Sequence, residues 1–258
     1  MPRTALITGA SAGLGVEFAE QLAARGMNLL LVARRAERLQ DIAKGLTEAH
    51  HVDVRCFSAD LSIPNAPAEI AAFAREADID VDYLINNAGS AGPHLLEEEQ
   101  WQPQAEFLEL MMLSVAHMCH HFIPAMRDRG FGRVINVSSF AGRLARGGAG
   151  SHYGPSKAYV IALSEELALD LKGSGVHVSA LCPGFTHTDF HEAAGLMEMK
   201  KSLPGFMWYD ASTVVRDGIE AVEKGRAIMN SGRLYRWLDP FAQSVWIRPL
   251  LKALSPSR

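Results

Sequence analysis

The stretch HYGPSKAYV, residues 152–160, places a phenol, Tyr153, four positions before an ammonium, Lys157. In a helix this spacing puts the two groups on one face, a turn apart. A free tyrosine has a pKa of about 10, so its phenolate is scarce at neutral pH, and a nearby cation favours the charged form. Such a pair is equipped to move a proton, the phenol giving one to a carbonyl oxygen or the phenolate taking one from an alcohol. Taken alone, it reads equally as two neighbours on a solvated helix face.

A second group of residues suits a phosphate. TGASAGLG, residues 8–15, follows a strand-like run and precedes a helix, with Gly9, Gly13 and Gly15 at the turn and Ser11 and Leu14 between them. Glycines let the backbone approach a pyrophosphate, and the helix N-terminus offers unpaired N–H groups and the positive end of its dipole. The spacing differs from the GxGxxG fingerprint, and a strand-to-helix turn alone also calls for glycines. About 20 residues beyond the glycines, where an acid would hold the ribose hydroxyls of NAD, stand Ala33, Arg34 and Arg35. A guanidinium pairs with the 2′-phosphate that an acid would repel, which favours NADP over NAD; the alternative is a basic start to the next helix. Asp60, ending FSAD with Leu61 beside it, is placed to accept from the adenine amino group. NNAG, residues 86–89, closes another strand with Asn87, Ala88 and Gly89, where Asn87 can bond backbone and the cofactor's edge of the site.

These groups must be held by a regular frame. Aliphatic or β-branched runs recur at residues 4–8, 28–33, 52–58, 81–86, 133–139, 176–182 and 226–230, with helical periodicity between them, as in residues 15–26 and 158–172. Continuous apolar strands alternating with helices predict a doubly wound α/β domain, its parallel sheet of seven strands covered on both faces. Ligands of such a sheet lie at the carboxyl ends of the strands. Residues 110–126, which lack Asp, Glu, Lys and Arg but hold three histidines, read as a buried helix. No linker or repeat divides residues 1–258, so a single domain is expected, with residues 185–209 and 233–258 as its appendages.

With TGxxxGxG at 8–15, NNAG at 86–89, NVSSFAG at 136–142, YxxxK at 153–157 and PGFTHT at 183–188 in this order, the chain resembles the short-chain dehydrogenase/reductase family over nearly its whole length. The resemblance implies a Rossmann-type fold and an oxidoreductase that interconverts carbonyls and alcohols with NADP(H). It gives Ser139 the substrate carbonyl, Tyr153 the proton, and Lys157 the nicotinamide ribose. Ser138 stands next to Ser139, but Gly142 fits an SxxG turn beginning at Ser139; the loop from there to Tyr153 is one residue longer than the family pattern. Pro183, Gly184, Thr186 and Thr188 fall where the family meets its cofactor, and residues 185–209 where it places a substrate lid. The aromatic and methionine side chains of that segment predict a hydrophobic substrate.

The family's asparagine, which supports a proton relay behind the lysine, falls at or near Met111, and no Asn occurs between residues 88 and 135. A thioether cannot donate, so the relay must run through backbone carbonyls and water, or through a neighbour such as Ser114. The readings are then an active reductase with an altered relay, an NADP-binding regulator or scaffold with little turnover, or a 3-oxoacyl thioester reductase, for which Lys200 and Lys201 would begin a basic docking patch.

The remaining composition narrows the setting. At 258 residues with 48% hydrophobic residues and a net charge of −4, the chain has no global pull toward nucleic acid. Cys56, Cys119 and Cys182, with no CxxC, suit reduced thiols in the cytoplasm, and no export signal precedes the first strand. His117, His120 and His121 lie near one helix face, yet no set of partner ligands accompanies them, so no metal is expected. His187 and His191 read as lid-surface residues. The resemblance implies a homodimer or homotetramer, and the tail from Arg233, rich in Trp, Leu and Arg, reads as an element that docks on the core, on another subunit, or weakly on a membrane.

Overall fold

In a computed structural model of the chain, residues 2–144, 151–188 and 204–244 are described. Seven parallel strands form the sheet in the order β3-β2-β1-β4-β5-β6-β9. They are β1 (Thr4–Thr8), β2 (Asn28–Ala33), β3 (Val54–Ser58), β4 (Val81–Asn86), β5 (Gly132–Val137), β6 (Val176–Pro183) and β9 (Ile228–Ser231). The chain winds outward from β1 to β3, returns to β4 beside β1, and winds out the other way. The reversal opens a crevice at the carboxyl ends of β1 and β4.

Alternating side chains explain why both faces are covered. Ala5, Ile7, Leu29, Leu31 and Ile85 face one layer, packed against Phe18 and Leu22 of α1 (Gly13–Ala23), Leu39 of α2 (Ala36–His50) and Val214, Val215 and Ile219 of α7 (Ala211–Glu223). Leu6, Leu30, Val32 and Leu84 face the other, against Ile70 of α3 (Ala66–Glu76), Met118 and Ile123 of α5 (Ser114–Asp128) and Leu167 of α6 (Tyr153–Asp170).

Several expected boundaries move. The strand expected over residues 133–139 ends at Val137, which leaves Ser138 and Ser139 beyond the sheet edge. Helix α6 starts at Tyr153, so Tyr153 and Lys157 share one helix as their spacing supposes, and Pro155 is tolerated in its first turn, where backbone N–H groups lack helical partners anyway. The helix expected over residues 110–126 is interrupted: α4 (Gln102–Leu108) passes through a π turn (Glu109–Leu113) before α5 begins. Nor is it buried all round, since Leu113 and His120 are exposed while Met118, Cys119 and Phe122 are buried.

Within the segment expected to form the lid, β7 (Phe185–His187) and β8 (Trp208–Asp210) pair as a small parallel ribbon. Phe190, His191, Lys200, Lys201 and the rest of residues 189–203 lie outside the described residues. In the tail, α8 (Arg233–Gln243) docks Tyr235 and Ala242 on the core beside Phe140 and leaves Trp237 exposed; residues 245–258 are outside the description. No described helix is long and apolar enough to cross a membrane.

Candidate active site

The glycine loop is shaped by two kinds of constraint. Gly9 and Gly13 have φ of +65° and +53°, a region that disfavours a side chain. At Gly15, a Cβ would stand 2.2 Å from the Gly9 carbonyl oxygen, so the helix start can press on the loop only without one. Thr8, which the motif contained but to which no role was given, locks the loop to β4. Its hydroxyl accepts from the N–H groups of Asn87 (2.9 Å) and Ala88 (3.1 Å). The Asn87 amide in turn donates to the carbonyls of Thr8 (3.0 Å) and Gly9 (3.4 Å). This is a backbone cradle at the crevice, open to an anion at the N-terminus of α1.

The arginines after β2 take separate positions. Arg35 reaches back to the loop, donating to the Ser11 hydroxyl (3.0 Å) and carbonyl (3.3 Å). Arg34 is exposed and lies 3.7 Å from Asp60. Against the desolvation that partial burial imposes, hydrogen bonds from Ser62 and the Arg34 charge hold the Asp60 carboxyl below its ordinary value. Leu61 is buried in the core. Leu14 packs half-buried against the α1 layer.

At the end of β5 the adjacent serines divide. Ser138 is buried and donates to the Lys157 carbonyl oxygen (2.7 Å), a structural bond. Ser139 accepts from the Ala141 N–H (3.1 Å) and hydrogen-bonds the Tyr153 phenol. Gly142 explains the turn: a Cβ there would lie 2.7 Å from the Lys157 carbonyl carbon, so the turn packs directly on the α6 backbone. Lys157 Nζ donates to the Val137 carbonyl (2.8 Å) and sits 5.8 Å from the centre of the Tyr153 ring.

The electrostatics depart from the sequence expectation that the Lys157 charge draws Tyr153 toward phenolate. Burial dominates both groups: it pushes the Tyr153 phenol up, with the Ser139 hydrogen bond pulling against it, and pushes Lys157 down to about 8. The phenol is therefore held as an acid, and the lysine is a costly buried cation.

Met111 is buried, and its thioether accepts from the Ser90 N–H (3.4 Å). A Cβ on Gly89 would be 3.2 Å from the Met111 sulfur and 3.8 Å from Lys157 Nζ, so sulfur and ammonium flank the same gap. Ser114, the side-chain alternative for the relay, donates its hydroxyl to the Leu110 carbonyl inside the π turn (2.7 Å), which leaves only its acceptor function for a relay. Met111→Asn puts an amide donor and acceptor into this gap and is expected to raise kcat severalfold with the KM for cofactor unchanged. Steady-state kinetics check it, and an unchanged or lower kcat counts against a relay through this position.

The far wall comes from β6 and β7. Pro183 ends β6, Thr186 is buried and donates to the Gly184 carbonyl (3.1 Å), and Thr188 lies 3.3 Å from where a Gly13 Cβ would stand. The segments that carry the expected cofactor and catalytic residues thus follow the carboxyl ends of β1 to β6. His117 and His121 stack on α5 with their Nε2 atoms 3.0 Å apart, His120 lies edge-on to His121, and His187 stacks on Trp208. Among the described residues no group of three or more His, Cys, Asp or Glu is arranged to hold a metal ion.

Comparison with known proteins agrees with this geometry. The family model described as short chain dehydrogenase matches residues 3–198. The 7beta-hydroxysteroid dehydrogenase of Collinsella aerofaciens is 30% identical over 183 residues, covering 71% of this chain and 68% of that protein. A short-chain dehydrogenase from Sphingobium yanoikuyae, solved in complex with NADPH, is 29% identical with a TM-score of 0.81, covering 100% of this chain and 98% of that one. A short-chain dehydrogenase/reductase from Burkholderia phymatum, solved in complex with NAD, is 26% identical with a TM-score of 0.83, covering 100% and 97%.

Proposed function

The chain belongs to the short-chain dehydrogenase/reductase family, and on that premise we propose that it is an NADP(H)-dependent oxidoreductase interconverting a hydrophobic carbonyl compound and its alcohol. The observation that carries this reading is the half-buried Tyr153, its phenol hydrogen-bonded to Ser139, with the buried Lys157 behind it on the next turn.

The residues present fit a nicotinamide dinucleotide: Gly9 and Gly15 have no room for a side chain, and Gly13, with its positive φ, disfavours one, so the backbone of the loop is left bare at the N-terminus of α1. Arg35 over Ser11, with Arg34 beside it, would hold the 2′-phosphate, and Lys157 the nicotinamide ribose. When bound, the cofactor supplies or accepts the hydride. Ser139 orients the substrate oxygen, and Tyr153, kept protonated by its burial, gives its proton to that oxygen during reduction. In oxidation the same hydroxyl position takes the proton back.

Cofactor preference is carried by the arginines rather than by the fold, since neighbours of the same fold hold NADPH in one case and NAD in the other. A hydrophobic substrate is supported by the aromatic contact between Phe185 and Trp208, by the exposed Phe206 and Leu144, and by the steroid named for the Collinsella relative. The test is oxidation of NADPH and of NADH by the purified protein with a panel of bulky ketones and aldehydes. Arg35→Ala is expected to lower kcat/KM for NADPH by about 10- to 100-fold, the worth of a charged hydrogen-bond pair, and to leave NADH little changed. An equal loss with both cofactors contradicts the assignment of Arg35 to the 2′-phosphate.

A further inference from the structure

Helix α8 touches both walls of the candidate site. The Tyr235 hydroxyl accepts from the Phe185 N–H (3.1 Å) and donates to the Met207 carbonyl (2.9 Å), joining the start of β7 to the turn that enters β8. Its ring covers Gly184 so closely that a Cβ there would stand 1.9 Å from a ring carbon, and it packs on Phe140 with ring centres 5.0 Å apart. One turn further along α8, the Asp239 carboxylate accepts two hydrogen bonds from Arg143, each 2.7 Å, and both side chains are largely buried. The Gln243 amide adds a bond to the Arg143 carbonyl. Arg143 follows Gly142, at the end of the turn that begins with Ser139.

We infer that Tyr235 and Asp239 are positioning residues: α8 is a strut that fixes the distance between the Ser139 turn and the Pro183–Thr186 wall. The inference rests on the functional reading above and assigns the geometry of that site to the C-terminal helix. A bidentate arginine–carboxylate pair sets orientation as well as distance. The phenol, with one donor and one acceptor function, suits a junction of an N–H and a carbonyl. Neither residue reaches the reacting atoms. Their effect is on where the substrate oxygen rests relative to the Tyr153 hydroxyl, and a misplacement on the order of 1 Å costs about 100-fold in rate.

Tyr235→Phe removes one oxygen and keeps the ring, while Asp239→Asn removes the charge and keeps the shape. Each is expected to lower kcat by about 10- to 100-fold while the Kd for NADPH, measured by fluorescence titration, stays unchanged, and Asp239→Glu is expected to recover part of the loss. Hydrogen exchange adds a readout independent of turnover. Asp239→Asn should speed exchange in the Ser139–Gly142 turn and also at Phe185, on the opposite wall; Tyr235→Phe should do the same in reverse. Variants that melt earlier but keep kcat, variants that lose NADPH binding in parallel with kcat, or exchange that quickens on the mutated side alone would each overturn the inference. If the wild type turns over no carbonyl compound, the functional reading falls, and the exchange result alone decides whether α8 couples the two walls.

Discussion

Replacing Tyr153 by Phe is expected to lower NADPH-dependent carbonyl reduction by about 10² to 10⁴ in kcat, the worth of a positioned general acid, with NADPH binding unchanged. The ring stays, so the packing at the start of α6 is kept. What is lost is the hydroxyl, hydrogen-bonded to Ser139 and held protonated by burial. The direction of that shift also sets the pH dependence. A phenol raised above its ordinary value of about 10 keeps its proton throughout the neutral range. Reduction by the wild type should therefore show no fall assignable to Tyr153 until strongly alkaline pH. The pH profile of kcat checks this, and a decline centred near neutrality that disappears in Tyr153→Phe would mean the phenol ionises far more readily than its surroundings imply.

Lys157→Met is expected to separate activity from stability. Losing the ammonium should reduce kcat/KM by at least about 10², because the proposed contact to the nicotinamide ribose and the positive charge beside Tyr153 disappear together. Stability should move the other way. Burial depresses Lys157 from 10.5 to about 8, so below pH 8 the folded protein carries a cation that is more comfortable in the unfolded chain. An apolar side chain of similar length relieves that cost, less what the Val137 carbonyl gives up, for a net gain of about 1–3 kcal/mol at pH 7. Between pH 8 and 10.5 the unfolded state binds more protons than the folded one, so the wild type gains stability with rising pH and the variant does not. Thermal melting across that window checks both statements. A variant that melts below the wild type at pH 7 would show that the lysine stabilises the fold it is buried in.

The parts of this molecule that were legible in its sequence are those encoded locally. The glycines of residues 8–15, the Tyr153–Lys157 spacing and the apolar strands each announce themselves within a few residues, and the sheet follows from their alternation. Less legible was whatever depends on distant packing. Ser138 and Ser139 look alike until the first is seen bonding the Lys157 backbone and the second the Tyr153 phenol. The reversal of the expected Tyr153 electrostatics comes from burial, which spacing on a helix face does not report. Arg143 and Asp239 are 96 positions apart, and no local pattern joins them. Tyr235 sits in a stretch whose amphipathic pattern spoke of docking without saying onto what; it lies against the two chain segments that bound the candidate site.

The central claim is that the chain moves a hydride between NADP(H) and a carbonyl carbon under proton control by Tyr153. Its most direct test uses NADPH carrying deuterium at the nicotinamide carbon that gives up hydride, incubated with the protein and a bulky ketone, followed by mass spectrometry of the alcohol. The account predicts one deuterium on the carbinol carbon of the product, delivered from a single face and reduced to background with Tyr153→Phe. Tight NADPH binding with no labelled alcohol above that control, across a broad panel of ketones and aldehydes, would contradict it and leave a cofactor-binding protein without this chemistry.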